Sequence, residues 1–201
     1  HRYAVDREWL VPHFEKMLYD QAQLLDLYLD AWLVTGEKDF EVVARGIADY
    51  VLRDLTHPEG GFYCAQDAQS EGKEGKYFCW TVENLKAVLS EDELKLVREV
   101  LGVTDKGNFV DHSDPNPLPN QNVLHFKKVR ASLSPAEGAA VQGLLKKLAE
   151  ARVKRVPPPT DDKILASWNG LMIGSMARAG RVLGEKRYVE AAEKAHQFVK
   201  A

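Results

Sequence analysis

The sequence has little of what marks the specialised protein classes. Its 201 residues include two cysteines, too few for a disulfide framework or a four-ligand zinc site. No apolar run approaches the roughly 20 residues that a membrane-spanning helix requires. The formal charge is only -3, so we expect no overall attraction to nucleic acid or to a membrane surface. The common nucleotide, zinc-protease and serine-hydrolase signatures are absent, and we expect a cytoplasmic protein with no metal and no cofactor.

Two aromatic-rich runs, 61–64 and 77–80, flank a loop rich in Gly, Ser, Lys and Glu. This arrangement predicts a long β-hairpin, with Cys64 and Cys79 as near neighbours across its strands. We favour packed, reduced thiols over a disulfide, since cytosolic thiols are normally reduced.

The strongest pattern is an internal repeat. The segments 36–38 and 184–186 both read Gly-Glu-Lys, and in the same register Ala44 falls on Ala192. In each copy the glycine lies where a helix must stop, because glycine adopts the left-handed conformation at little cost. The repeat therefore predicts two helical hairpins.

The two helices of each hairpin differ in their faces. The helix over 16–34 is apolar nearly all round, as is its counterpart over 163–183, so both should be buried on most sides. The next helix carries a polar stripe that we expect to face water: Glu41, Arg45, Asp49 and Arg53. A buried helix followed by a half-exposed one predicts an α/α toroid with two rings or a helical solenoid.

The stretch 56–133 has a different character. It contains the predicted β-hairpin, short helices over 81–89 and 90–101, and a loop rich in Asn, Asp and Pro. Ser-x-x-Glu capping boxes begin at Ser90 and Ser134, the second opening a helix to about 154. We interpret 56–133 as an elaborated insertion between the two hairpins.

The densest group of polar residues runs from His13 to Asp20. If this segment is helical, His13 and Lys16 share one face, while Glu15 and Tyr19 share another. Four ionisable groups on an apolar helix would line a solvated cavity, and His13 is then the candidate acid or base because its ordinary pKa is closest to neutral. The alternative is a helix start where Glu15 complements the dipole and Lys16 pairs with Asp20.

Two carboxylates, Asp67 and Glu71, lie at the predicted hairpin tip. Such a pair would suit acid–base work on a glycosidic bond. A solvated charged turn between the flanking glycines explains them equally simply and is the interpretation we favour.

A third group begins the helix over 163–183. Trp168 and Asn169 offer a stacking face and a hydrogen-bonding amide for a sugar ring, whereas Asp161 or its neighbour offers only an ordinary helix cap. Near the start of the chain, Arg2 and Tyr3 add a cation and an aromatic ring.

Long motifs in these regions resemble the thioredoxin-domain-containing family related to spermatogenesis-associated protein 20. They are His-Arg-Tyr-Ala-Val-Asp at 1–6, Val-Pro-His-Phe-Glu-Lys-Met-Leu-Tyr-Asp at 11–20, Gly-Gly-Phe-Tyr at 60–63 and Trp-Asn-Gly-Leu-Met at 168–172. The resemblance implies an upstream thioredoxin-like domain followed by an (α/α)6 toroid of the six-hairpin glycosidase type, akin to N-acylglucosamine 2-epimerases. The chain 1–201 would then be an internal fragment of one mainly α toroid domain, with a β-hairpin insertion.

The resemblance also exposes a departure. Family members carry an acidic stretch of the type Ser-Ala-Glu-Asp-Ala-Asp-Ser-Glu-Gly, and 64–72 here reads Cys-Ala-Gln-Asp-Ala-Gln-Ser-Glu-Gly. Two expected carboxylates are amides, so a hydrolase or metal role for this loop is weakened.

The resemblance implies a carbohydrate-related protein, and we expect epimerase- or isomerase-like chemistry on a small sugar-like ligand. The catalytic candidates are His13, Glu15 and Lys16. The substrate-binding candidates are Arg2, Tyr3, Tyr19, Asp67, Trp168 and Asn169. Two alternatives stay open: a non-catalytic interaction scaffold attached to a thioredoxin-like domain, or a glycoside hydrolase. The expected protein partners are the rest of the toroid and that upstream domain.

Overall fold

The computed structural model describes residues 2–128 and 130–200. His1, which begins one of the motifs, lies outside them. The α-helices of the described chain are α1 (Leu18–Thr35), α2 (Lys38–Asp54), α3 (Val82–Lys86), α4 (Glu91–Val100), α5 (Pro135–Arg152), α6 (Ala166–Leu183) and α7 (Lys186–Lys200). The strands are β1 (Lys16–Met17), β2 (Ala65–Gln66), β3 (Gln69–Ser70), β4 (Lys73–Glu74) and β5 (Thr160–Asp161), and a 3-10 turn spans Arg130–Ser132. The fold is therefore helix-rich, with few and short strands.

The chain forms two compact units, each built from two segments. The first unit contains His1–Phe14 and Ala68–Pro159, and the second contains Glu15–Asp67 and Thr160–Ala201. The stretch 56–133 is thus divided between them.

The second unit consists of two helical hairpins, α1–α2 and α6–α7, as the repeat predicts. Gly36 and Gly184 end α1 and α6 in the left-handed conformation, with φ of 72° and 69°. Helix α1 packs against α2 and α6, and α6 packs against α7. Their shared core includes Leu18, Leu25, Leu29, Met172, Met176 and Tyr188.

Two expectations about helix faces are wrong. Helix α1 is not buried all round, because Leu27 and Val34 are exposed. Glu41 does not face water: it is 5% exposed, and its carboxylate accepts hydrogen bonds from Lys38 and Arg45. Arg45 and Asp49 of the stripe pair with Glu185 and Arg187 at the start of the second hairpin's outer helix, whereas Arg53 is exposed as expected.

A small antiparallel sheet lies at the starts of α1 and α6. Its strand order is β1–β2–β5, with Lys16 opposite Gln66 and Ala65 opposite Asp161. The predicted hairpin of 61–64 with 77–80 is wrong. Phe62 bridges to Thr56 and Trp80 bridges to Asn122, while the short hairpin β3–β4 occupies the intervening loop.

The glycine pair that precedes Phe62 explains this change of direction. Gly60 and Gly61 have φ of 113° and 76°, and a Cβ on Gly60 would lie 2.7 Å from the Lys194 carbonyl oxygen. The chain therefore turns sharply against α7 instead of continuing as a strand. Cys64 and Cys79 are both buried free thiols, as favoured from the sequence.

The first unit contains α3, α4 and α5. The predicted capping boxes at Ser90 and Ser134 are present, and Thr81 forms a third with Asn84. One core joins these helices through residues such as Leu85, Val97 and Leu144. None of the described helices combines the length and apolar character needed to cross a membrane.

Candidate functional site

The first residues of the chain fold back on themselves. The Val5 N–H donates to the Val11 carbonyl at 2.9 Å, and the His13 N–H donates to the Tyr3 carbonyl at 3.1 Å. The Asp6 carboxylate closes the intervening loop by accepting the N–H groups of Leu10 and Val11. These backbone bonds hold the pKa of Asp6 below its ordinary value. The loop brings Tyr3 beside His13.

His13 is held from two sides within the first unit. Its Nδ1 lies 2.9 Å from Oε1 of Glu74, and the two side chains are 20% and 21% exposed. Its ring stacks on Tyr3 with centroids 4.9 Å apart. In the tautomer that carries its proton on Nδ1, the imidazole donates this hydrogen bond to Oε1 of Glu74.

The predicted helical arrangement around His13 is wrong. Helix α1 begins only at Leu18, and Lys16 lies in strand β1. The shared faces of His13 with Lys16 and of Glu15 with Tyr19 therefore do not exist. His13 belongs to the first unit, whereas half-buried Glu15 lies in the second.

Tyr3 also lines an open cleft of about 320 Å³ in the first unit, which we call the Tyr3 cleft. Its walls are Arg2, Tyr3, Ala4, Trp9, Leu10, Pro12, Val123 and Leu124. The Arg2 guanidinium lies 5.2 Å from the centre of the Tyr3 ring. Two predicted binding residues thus meet at one cavity, which has the size of a small-molecule site. His13 stands behind Tyr3 and is not part of the lining.

Trp9 is the residue of this cleft that sequence reasoning missed. Its backbone has φ of 57°, which is costly for a bulky residue, and its side chain is 82% exposed. An exposed aromatic ring held in a strained conformation is typical of a functional position. Only its position in a short segment of aromatic and charged residues could have drawn attention to it.

In the second unit, Lys16 lies beside an aromatic ring and an amide. Its Nζ is 5.9 Å from the centre of the Tyr50 ring. The Tyr50 hydroxyl donates to Oε1 of Gln66 at 3.2 Å. Burial raises the pKa of Tyr50, so its hydroxyl stays protonated.

Tyr19 and Trp168 meet edge to face, with centroids 4.7 Å apart. Asn169 has a structural place instead of an open one. It is fully buried, its Oδ1 accepts the Phe62 N–H at 2.7 Å, and its Nδ2 donates to the carbonyls of Phe62 and Leu165. Asn169 is buried, and both of its amide hydrogens and its Oδ1 are engaged inside the fold, so we do not retain it in the candidate site.

The two carboxylates of the predicted hairpin tip belong to different units. Exposed Asp67 belongs to the second unit, while Glu71 belongs to the first and pairs with Lys76 at 2.7 Å. Asp161 does not cap α6; it pairs with Lys163 at 2.6 Å, which lowers the pKa of its carboxyl. In the described ranges, no group of three or more His, Cys, Asp or Glu is arranged to hold a metal ion.

These observations define a helix-rich protein with repeated helical hairpins and an aromatic cleft beside an oriented histidine. The chain is similar over its whole length to spermatogenesis-associated protein 20 from Homo sapiens at 41% identity and from Mus musculus at 39%. An uncharacterized protein of Caenorhabditis elegans is 35% identical over 99% of the chain. The chain spans only 28% to 30% of the length of these relatives. No family model matches the chain.

Proposed function

We propose that the protein binds a small sugar-like molecule in the Tyr3 cleft and transfers protons on it, as an epimerase or isomerase does. The observation that carries this proposal is the sharing of Tyr3 between the cleft lining and the His13 stack. Aromatic walls suit the apolar face of a sugar ring. A volume of about 320 Å³ suits a single ring.

His13 is the base of the proposed reaction. It removes a proton from a carbon next to a carbonyl, and the C–H electron pair moves into the carbonyl to give an enolate. Solvent water then protonates the opposite face of the enolate, and protonated His13 returns its proton to the resulting hydroxide, which completes an epimerisation. Glu74 orients the imidazole and stabilises its protonated form. Arg2, at the cleft wall, is the cation that stabilises the enolate oxygen.

Access to His13 depends on Tyr3. Because the Tyr3 ring covers the imidazole on one side, a bound ligand must displace that ring to reach it. In the same proposal, the hairpins α1–α2 and α6–α7 are two members of an (α/α)6 toroid, and a thioredoxin-like domain lies elsewhere in the full-length protein. Roles for Lys16, Tyr19, Asp67 and Trp168 in substrate binding, and for Glu15 and Lys16 in catalysis, stay predictions.

Isotope exchange tests the proposed chemistry. Full-length protein is incubated with aldoses and ketoses in D2O, and NMR detects deuterium at the carbon next to the carbonyl. We expect exchange with at least one sugar, and a loss of about 100-fold or more in His13→Gln. The control is His112→Gln, which changes an exposed loop residue of the same unit. Absence of exchange across the panel contradicts the reaction.

Ligand binding is tested separately by tryptophan fluorescence. Trp9→Phe removes a reporter in the cleft, and Tyr3→Leu removes a wall. A sugar that quenches the parent but not Trp9→Phe, and that binds more weakly to Tyr3→Leu, supports the cleft. Equal quenching in parent and Trp9→Phe contradicts it.

A non-catalytic interaction scaffold is the second candidate. Leu27 and Val34 are exposed and, seven residues apart on α1, share one helix face, and an exposed apolar face favours an interaction surface. Leu171 on α6 is also exposed. The double variant Leu27→Glu with Leu171→Glu tests the scaffold in the full-length protein. The scaffold is supported if this variant disrupts the protein or its assembly and if His13→Gln leaves the hydrogen exchange of the sugars unchanged. Sugar-dependent exchange that requires His13 excludes it as the sole function.

A further inference from the structure

A second open cleft in the first unit carries positive charge. Its volume is about 400 Å³, and it shares no lining residue with the Tyr3 cleft. The side chains around it are Ser70, Glu71, Lys76, Tyr77, Cys79, Asn84, Gln121, Lys154, Arg155 and Val156. We call it the Arg155 cleft, because Arg155 is its most firmly held cation.

The Arg155 guanidinium is fixed in position. It lies over the Trp80 ring, with its central carbon 3.8 Å from the ring centre. Its Nη1 donates to the carbonyls of Tyr77 at 3.0 Å and Cys79 at 2.7 Å, and more distantly to that of Lys76. All the hydrogen bonds from this guanidinium to residues 2–128 and 130–200 come from Nη1. The guanidinium is thus fixed in place while its Nε and Nη2 make no hydrogen bond to the described residues. Such a group is preorganised to donate to the oxygens of an anion.

No carboxylate neutralises this cation. Within the two described ranges, no acidic side chain lies within ion-pair distance of Arg155. Burial, together with repulsion from a second cation, Arg152, lowers the pKa of Arg155. Arg152 stacks on Tyr77 and Phe78, each at 5.5 Å. Its Nε is buried without a hydrogen-bond partner, and it also lacks an acidic partner among the described residues.

Two neighbouring unpaired guanidinium groups are costly. Partly buried charges are normally paired, since desolvation otherwise outweighs what the fold gains from them. An anion in the Arg155 cleft would remove this cost for Arg155 and reduce the repulsion from Arg152. The arrangement is therefore that of a site completed by a ligand, not of a closed structural network.

The rim of the cleft sets the charge of the ligand. Exposed Lys154 adds a cation, whereas Lys76 is already paired with Glu71 at 2.7 Å. Among residues 2–128 and 130–200, Arg155 and Lys154 thus have no acidic partner, and they leave two positive charges around the cavity. A phosphate monoester carries about -1.5 to -2 at pH 7 and three acceptor oxygens, which matches this charge better than a single carboxylate does.

We infer that the Arg155 cleft binds the phosphate group of a small phosphorylated molecule, with Arg155 as the planar donor and Lys154 as the second cation. Asn84 and Gln121 supply neutral polar groups for the rest of the ligand. This site is separate from the proposed sugar site, and neither depends on the other.

Calorimetric titration of the full-length protein tests the inference. The probes are inorganic phosphate, glucose 6-phosphate, glucose and glucuronate. We expect glucose 6-phosphate to bind. Any binding of glucose should not depend on Arg155, because glucose carries no phosphate. Glucuronate should bind at least tenfold more weakly than the phosphate ester. Affinity should fall as salt is raised, because the contacts are ionic.

Substitutions distinguish specific binding in the Arg155 cleft from nonspecific attraction to surface charge. Arg155→Gln should weaken glucose 6-phosphate binding at least tenfold. Arg155→Lys should retain only part of the affinity, because lysine keeps the charge but lacks the planar pair of N–H donors. Lys154→Gln, at an exposed position that does not support the core, should weaken binding by about threefold or more. The matched control is Arg98→Gln, which removes a surface cation paired with Asp105.

Several results would overturn the site. No binding of either phosphate probe by the parent excludes it. Equal weakening by Arg98→Gln and Lys154→Gln indicates an adventitious ion only. If glucuronate binds as tightly as glucose 6-phosphate, the ligand class is wrong. Lys154→Gln keeps the test decisive even if Arg155→Gln fails to fold.

Discussion

Glu41 and Arg45 form a partly buried ion pair one turn apart on α2, with Oε1 of Glu41 2.8 Å from Nε of Arg45. The same guanidinium reaches Glu185 at 2.7 Å and the Leu183 carbonyl at 3.1 Å. One side chain therefore ties the α1–α2 hairpin to the turn between α6 and α7.

Replacing Arg45 should destabilise the second unit. Arg45→Met leaves the nearly buried Glu41 carboxylate with Lys38 alone, and we expect a loss of about 1–3 kcal/mol in the free energy of unfolding. Urea denaturation measures this loss. Arg53→Met, which removes an exposed pair with Asp54, is the control and should cost about 0.5 kcal/mol or less.

The same link predicts a pH dependence. Ion pairs with Lys38 and Arg45 lower the pKa of Glu41, so its contribution is complete above the ordinary glutamate value of about 4.3 and is lost as pH falls through the lowered pKa. The difference in stability between the parent and Arg45→Met should shrink below about pH 4. A difference that stays constant down to pH 2 would show that Glu41 is not its source.

Asn169 should be important for stability. Asn169→Ala removes the amide that bonds both main-chain groups of Phe62, leaving buried polar groups unpaired, and should cost about 2–4 kcal/mol. Asn116→Ala, on an exposed loop, provides the matched comparison. A sugar-binding defect in Asn169→Ala at unchanged stability would instead return this residue to the ligand site.

Two glycines of α6 should respond in opposite directions to alanine. A Cβ at Gly180 would lie 2.4 Å from Cγ2 of Val189 and 2.9 Å from its backbone nitrogen, whereas one at Gly174 meets nothing within 4 Å. We expect Gly180→Ala to destabilise by about 1–3 kcal/mol and Gly174→Ala to stabilise by up to about 1 kcal/mol through helix propensity. Thermal denaturation distinguishes them, and a shared sign would contradict the α6–α7 packing.

Both thiols should be unreactive in the native protein. Burial raises the pKa of Cys79 to about 12 and also raises the pKa of Cys64, so neither forms much thiolate at pH 8. A disulfide-exchange reagent should label both only after unfolding in urea. Rapid labelling of the native protein would show that one of them is accessible.

Much of the local structure could be predicted because it depends on short-range rules. Gly36 and Gly184 end their helices as expected, and Ser90 and Ser134 cap theirs, since each case needs only a residue type at a fixed position. The two helical hairpins follow from the repeat for the same reason.

The errors have a common physical origin. Strands β1, β2 and β5 are two residues long, too short to show alternation, and they pair across long separations in the chain. The sequence around His13 looked helical because its polar residues have helical spacing, yet Lys16 pairs with Gln66 in the sheet. Asn169 looked available because burial depends on tertiary contacts that its own helix does not specify.

The site was predicted only in part. Arg2 and Tyr3 do meet at one cleft. Trp9 joins its wall through a backbone reversal, and Glu74 contacts His13 across 61 residues of sequence, and local propensity reveals neither. The Arg155 cleft was not predicted from the sequence. Arg155 lies just beyond the C-terminal end of α5, where an arginine ordinarily complements the helix dipole. The lack of an acidic partner for Arg155 among the described residues can be recognised only in the folded structure, where residues of 70–84 and Gln121 surround the cleft.

The discontinuous make-up of the two units has a consequence for biosynthesis. On the ribosome, α1 and α2 emerge early, but α6, which covers one side of α1, is translated only after the whole of 68–159. During that interval the apolar face of α1 that packs on α6 stays exposed in the nascent chain. An exposed apolar face of this kind promotes chaperone binding or aggregation. For the same reason neither unit can be excised with one cut, and a stand-alone version of the second requires splicing Asp67 directly to Thr160.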